Sequence, residues 1–291
     1  MTLRHRLIGS GTKHLSPVTV FLNVSVRMKP SIQSPQNQQI KQVMKLRDAS
    51  TRRETGYFII DGAQEIERAL ADDYQIDCLY FPGEDTSLCE QLLDRLQPEQ
   101  LQPVSSAVMR KLAYGDRESG LVAVAKAPTL ELGRLQFASK RPLILVLDGI
   151  EKPGNLGACL RTAAATGADA VVLTNPICDV FNPNAIRASR GCLFSVPLAV
   201  ATSDEVMQLC ARLKIPVYTA RVDGEMDFWQ ADFRGGAAMV LGNEAAGLQN
   251  GWSTSLCKSI VIPMRDDTDS LNVSISAAVT LYEAVRQRRR V

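Results

Sequence analysis

The stretch "RPLILVLDGIEKPGNLGACLRTAAATG", Arg141–Gly167, decides the fold. Leu143 to Leu147 form an unbroken apolar run, where a strand with one wet face would alternate. A strand of this kind is buried on both faces, as in a parallel sheet covered by helices. A glycine-bearing turn follows, and then a helical segment, "NLGACLRTAAATG", that stops at Gly167 as helices commonly stop at glycine.

The alternation continues downstream. "AVVLT" reads as a strand, "NPNAIRASRG" as a helix, "SVPLAV" as a strand, "SDEVMQLCARLK" as a helix and "IPVYTAR" as a strand. "AAMVLG" and "SIVIPM" are two further strands before a last helix, "DSLNVSISAAVTLYEAV", whose apolar body reads as almost entirely buried. Upstream, "IKQVMKLRDASTRRETG" has helical spacing and a ladder of basic residues. After it come "YFIID" (strand), "AQEIERALAD" (helix), "IDCLYFP" (strand), "CEQLLDRL" (helix), "LQPVS" (strand), "SAVMRKLA" (helix) and "GLVAVAKAP" (strand). The organisation expected is a basic, disordered arm over 1–36, a small α/β domain over 37–128, a linker over 129–140 and a larger α/β domain over 141–291.

Composition narrows the class. The chain has 291 residues, 45% apolar and 22% charged, with no apolar run near the length of a membrane span. Seven scattered cysteines without a CxxC pair argue against a disulfide framework or zinc site and fit a reducing cytoplasm. Residues 1–47 carry eight Lys or Arg and no acid, a distribution suited to phosphate backbones or to a solvated tail. The arm also leaves open a transit peptide, or a true start at Met28.

In parallel sheets ligands bind beyond the carboxyl ends of the strands, so three loops matter. The first carries Gly149, Gly154, Asn155 and Gly157, with Arg161 six residues past Asn155; alone it reads as a glycine-rich turn capped by Asn155. The second, "VLGNEAAGL", puts Glu244 between Gly242 and Gly247, and the third, "IPMRDDTDSLNVS", feeds the last helix. Three small polar groups, Ser270, Asn272 and Ser274, exceed what one helix cap needs.

Together, N-x5-R, G-x-E-x-x-G and I-P-M-x6-L-N-V-S in this order resemble the SpoU family of RNA 2′-O-ribose methyltransferases, within the SPOUT superfamily. The preceding domain, with "KLRDASTRRETGYFIIDGAQEI", resembles the substrate-binding domain that members often carry. The resemblance implies an α/β C-terminal domain with a parallel sheet and a deep trefoil knot, S-adenosyl-L-methionine as cofactor, a structured RNA as substrate and a homodimer. Ribosomal RNA is favoured over transfer RNA, and a protein that binds RNA or ribosomes without transferring methyl groups is the rival reading.

Carried over by position, Asn155, Arg161, Glu244, Ser270 and Asn272 fall on the family's catalytic cluster. Leu241, Gly242, Ile262, Met264 and Leu271 fall on the cofactor wall, and Ser274 is left as an ordinary helix-start residue. The family usually has Gly two residues after the Met of I-P-M, where this chain has Asp266, a departure that bears on cofactor affinity.

Overall fold

The computed structural model describes residues 29–84, 92, 95–113, 120–243, 246–252, 256–265 and 270–289. Two sheets organise them. The first has the order β1-β4-β2-β3, with β1 Tyr57–Asp61, β2 Ile76–Pro82, β3 Leu101–Val104 and β4 Val122–Lys126. Strands β2 and β3 run parallel, while β4 runs antiparallel to β1 and β2. Helices α1 Gln38–Lys45, α2 Ala49–Thr55, α3 Ala63–Ala71 and α4 Ser106–Leu112 accompany it. The helix expected over "CEQLLDRL" lies mostly outside the described residues.

The arm expected over 1–36 falls largely on residues 1–28, outside the described part. Part of its described remainder pairs with the sheet. Ile32 forms a parallel bridge with Val104, its N–H donating to Pro103 O at 3.1 Å, so the segment lines the free edge of β3. Unpaired backbone groups on an edge strand favour such cover.

The second sheet has the order β7-β6-β5-β10-β8-β11-β9, and every neighbouring pair in it is parallel. Its strands are β5 Leu143–Asp148, β6 Ala170–Thr174, β7 Leu198–Ala201, β8 Val217–Ala220, β9 Met226–Asp227, β10 Ala237–Leu241 and β11 Cys257–Val261. The period of two sorts β5 between two cores. Leu143, Leu145 and Leu147 join one cluster, and Ile144 and Val146 join the other. All are fully buried or nearly so, as the unbroken apolar run requires.

Helices α5 Pro153–Thr166, α6 Pro183–Ser189, α7 Cys192–Ser195, α8 Ser203–Leu213 and α9 Val273–Arg288 cover this sheet. Gly157 lets α5 and α6 touch. A Cβ there would stand 2.5 Å from Ala188 Cβ and 2.6 Å from Ala185 O. The last helix departs from expectation. Val273, Ala277, Thr280, Leu281 and Ala284 face inward, but Ile275 and Tyr282 are about half exposed. With half-buried Ala278 and Val279 they form an outward apolar stripe at i, i+3, i+4 and i+7.

The two sheets share one apolar core. Phe58 of β1 stacks on Phe181 with ring centroids 4.3 Å apart, and Tyr74 meets Phe194 edge-on at 4.8 Å. Arg52 crosses the same junction almost fully buried, its Nε donating to Asp179 Oδ2 at 2.8 Å and its Nη1 to the Leu46 and Arg47 carbonyls. Truncation of a buried ion-pair partner strands the other charge at a cost of about 3 kcal/mol or more. Arg52→Ala is therefore expected to lower the urea unfolding free energy by about that amount, whereas exposed Arg53→Ala stays within about 0.5 kcal/mol. Equal effects would show that Arg52 does not hold the domains together.

Candidate active site

A cleft of about 510 Å³ opens over the carboxyl ends of β10, β8 and β11, three adjoining strands. Its walls are Ala220–Asp223 after β8, Leu241–Asn243 and Ala246–Leu248 after β10, Ile262 and Met264 after β11, and Ser270, Leu271, Val273 and Ser276 at the entrance to α9. All five residues expected on the cofactor wall, Leu241, Gly242, Ile262, Met264 and Leu271, line this one space, and Ser270 joins them. Small-molecule sites commonly measure about 300–1,000 Å³ with apolar walls and a few polar groups. The cleft fits a nucleoside-sized ligand on both counts.

Gly242 is required by its surroundings. A Cβ there would collide with the backbone of Gly247 and Leu248, because Asn243 and Gly247 close a tight loop with reciprocal N–H···O bonds of 3.0 and 2.9 Å. Gly247 makes that turn at φ +66°, in the left-handed region. Asn243 and Ala246–Leu248 of this loop therefore line the cleft next to Leu241.

Asn272 is the cap of α9. Its Oδ1 accepts from Ser274 N–H at 3.0 Å and from Ser274 Oγ–H at 2.6 Å, and its Nδ2 donates to Asn155 Oδ1 at 3.3 Å. Capping and contact with the first loop thus fall on the same side chain, and Ser274 supports Asn272 as well as starting the helix. Asn155 is the third residue of α5, after Pro153 at its first position, so it is not the cap of that helix. Arg161 is exposed, about 9 Å along α5 from Asn155 and about 120° round it. Among the described residues Ser270 lines the cleft, Asn272 stands in the chain between the lining residues Leu271 and Val273 and bonds Asn155, and Arg161 is exposed further along α5; Glu244 and Asp266 lie outside the described residues.

Other cleft residues escaped the sequence reading. Arg221 Nε donates to Asp223 Oδ1 at 2.9 Å on the mouth of the cleft. That hydrogen bond holds the Asp223 carboxyl below its ordinary range and raises the Arg221 guanidinium. Asn243 Nδ2 donates to Gly149 O at 2.9 Å, tying the second loop to the first. The strand end at Ala220 was the available signal for Arg221 and Asp223, since every strand carboxyl end faces the site.

The fold and cleft define a two-domain α/β protein whose larger domain is shaped to hold a nucleoside-sized ligand at its carboxyl edge. Residues 142–282 match the SpoU rRNA Methylase family and residues 37–123 the MRM3-like substrate binding domain. A 23S rRNA (uridine(2479)-2′-O)-methyltransferase of Streptomyces viridochromogenes is 30% identical over 84% of this chain and 87% of its own length. The 23S rRNA (guanosine-2′-O-)-methyltransferase RlmB of Ralstonia nicotianae is 36% identical over 64% of this chain and 76% of its own. Among solved structures, the SpoU methyltransferase AviRb of Streptomyces viridochromogenes with AdoMet superposes with a TM-score of 0.80 at 28% identity, covering 87% of this chain and 98% of that one. An RNA 2′-O ribose methyltransferase superposes with a TM-score of 0.76 at 37% identity, covering 89% of this chain and all of that one. The chain belongs to the SpoU rRNA methylase family.

Gly242→Ala tests the rim. Relief of the collision requires the 242–248 loop to move outward, so the variant is expected to stay folded by circular dichroism while losing at least about tenfold in affinity for S-adenosylhomocysteine, as loss of ~1.4 kcal/mol would give. Unchanged affinity would place the ligand elsewhere.

Proposed function

We propose that this protein is an S-adenosylmethionine-dependent RNA 2′-O-ribose methyltransferase that acts on ribosomal RNA in the cytoplasm as a homodimer. The observation that carries the reading is the convergence of all five wall residues on one cleft, with Asn272, which stands in the chain between the lining residues Leu271 and Val273, bonded to Asn155. Relatives named as 23S rRNA 2′-O-methyltransferases support ribosomal RNA as the substrate class. No described helix is long and apolar enough to cross a membrane.

In this reading residues 141–291 form the transferase domain, with the chain after β11 passing through the knot of the family. Residues 37–128 recognise the RNA, mainly by its shape and unpaired bases. Bound in the cleft, S-adenosylmethionine supplies a methyl group on a positively charged sulfur, and S-adenosylhomocysteine remains when that methyl has passed to the ribose 2′-oxygen. Leu241, Gly242, Ile262, Met264 and Leu271 hold the adenosyl part, with the loop backbone as the polar partner. Asn155 and Glu244 fix the target nucleotide and its partner groups, while Ser270 and Asn272 hold the loop and the ribose side. Arg161 binds phosphate and orients the 2′-hydroxyl. A guanidinium keeps its proton at ordinary pH and does not act as the base, so the hydroxyl proton leaves to a phosphate oxygen or water. Alignment is the main contribution, because the attacking oxygen, the methyl carbon and the sulfur must lie nearly in line.

The apolar stripe Ile275, Ala278, Val279 and Tyr282 supports the dimer. A stripe of this spacing on a helix that starts at the cleft is suited to a second copy of itself across a two-fold axis.

Arg161→Ala is expected to lower methyl transfer to ribosomal RNA by about 10²–10³-fold, the usual effect of removing one preorganised donor. S-adenosylhomocysteine binding by calorimetry should persist, because the cofactor wall does not include Arg161. Loss of binding would overturn the role. Mapping of 2′-O-methyl sites in a strain lacking the gene tests the substrate, and a mark lost only from transfer RNA would overturn ribosomal RNA. Ile275→Glu combined with Tyr282→Glu should convert a dimer to a monomer by light scattering and remove transfer activity. An unaltered mass would move the interface to another face.

A further inference from the structure

We infer that Asp148 is a positioning residue for the cofactor, one that locks the second loop of the cleft to the end of the central strand β5; this rests on the cofactor reading proposed above. Asp148 is the last residue of β5, is 1% exposed, and does not itself line the cleft. Its carboxylate gathers three donors. Thr174 Oγ1 and Asn175 Nδ2 each donate to Oδ1 at 2.9 Å, and Gln249 N–H donates to Oδ2 at 2.9 Å.

The three donors come from two distant parts of the chain. Thr174 ends the neighbouring strand β6, whereas Gln249 directly follows Gly247 and Leu248, both of which line the cleft. The next residue, Gly149, accepts from Asn243 Nδ2 at 2.9 Å. The loop is therefore pinned at both its ends, to Asp148 at the end of β5 and to Gly149 directly after it. Those bonds fix the height of the Gly242–Leu248 rim above the sheet, which sets the width of the space for the adenosyl group.

Only a group that accepts on both edges can serve all three donors. In Asp148→Asn one edge becomes a donor, so either Gln249 N–H or the Thr174 and Asn175 side faces another donor in a buried place. The weaker link is the loop, because strand pairing holds Thr174 in register with Asp148. Release of the loop is expected to raise the Kd for S-adenosylhomocysteine at least about tenfold, with KM for S-adenosylmethionine rising in parallel and kcat at saturation falling much less.

Calorimetry with S-adenosylhomocysteine and steady-state transfer to ribosomal RNA supply the test, on wild type, Asp148→Asn and Gln249→Pro. The proline variant removes the loop N–H and leaves the carboxylate with Thr174 and Asn175, so it keeps the question answerable if Asp148→Asn fails to fold. Both variants should weaken binding by a similar factor, and the double variant should be no weaker than either single one. A folded variant of either kind with wild-type affinity, or losses that multiply in the double variant, would overturn the inference alone. A wild-type protein that binds no S-adenosylhomocysteine would overturn the functional reading along with it.

Discussion

Parallel pairing of β10 with β5 on one side and β8 on the other fixes where every loop of the cleft can go. The strand late in the sequence is inserted between two earlier ones, so the turn after it emerges beside the turn after β5, about a hundred residues away along the chain. A parallel strand needs both faces covered, and the two apolar clusters supply that cover from α5, α9 and the smaller domain on one side and from α8 on the other. Once the register Leu241↔Leu147 is set, Gly242 and Asp148 are neighbours across the sheet edge. The polar ties between Asn243 and Gly149, and between Gln249 and Asp148, follow from that adjacency.

The helix α9 is bound by the same geometry. Its inner face packs on α5, and its cap residue Asn272 meets Asn155 at the start of that helix. A cap normally contributes only to its own helix, at about 1 kcal/mol. Here the acceptor atom of the amide serves the cap and the donor atom serves the site, so the entrance to α9 cannot loosen without moving Asn272 away from Asn155. Stability of the last helix and the shape of the rim are in that sense one quantity.

How much was legible in the sequence follows the range of the interactions. Strands β5, β6 and β10 were readable because four or five apolar residues in a row between turn signals have few other solutions. The residues that line the cleft after β10 and β11 stand in motifs that resemble those of a family. The two-residue strand β9 and the four-residue helix α7 were not, since neither is long enough to show a period. The outward stripe of α9 was hidden by its own composition, because an apolar helix reads as buried whether its cover is the same chain or another. Asp148 was invisible for a further reason. A single acid at a strand end gains its meaning from donors 26, 27 and 101 residues away.

The shared core between the two sheets bears on how a substrate-binding domain can guide a distant reaction. Two domains joined by a linker alone would leave the RNA free to sample many positions relative to the cleft, and alignment would be lost. Phe58, Tyr74, Phe181 and Phe194 instead make a continuous aromatic junction, and Arg52 threads it to reach Asp179. Asp179 lies in the segment between β6 and α6, and α6 packs through Gly157 on the helix that carries Asn155 and Arg161. The chain of contacts from the basic α1–α2 region to Arg161 therefore runs through packed side chains and one buried ion pair. On the function proposed, RNA held by the smaller domain would reach the cleft at a fixed distance, and the precision of the reaction would rest as much on this junction as on the groups beside the ribose.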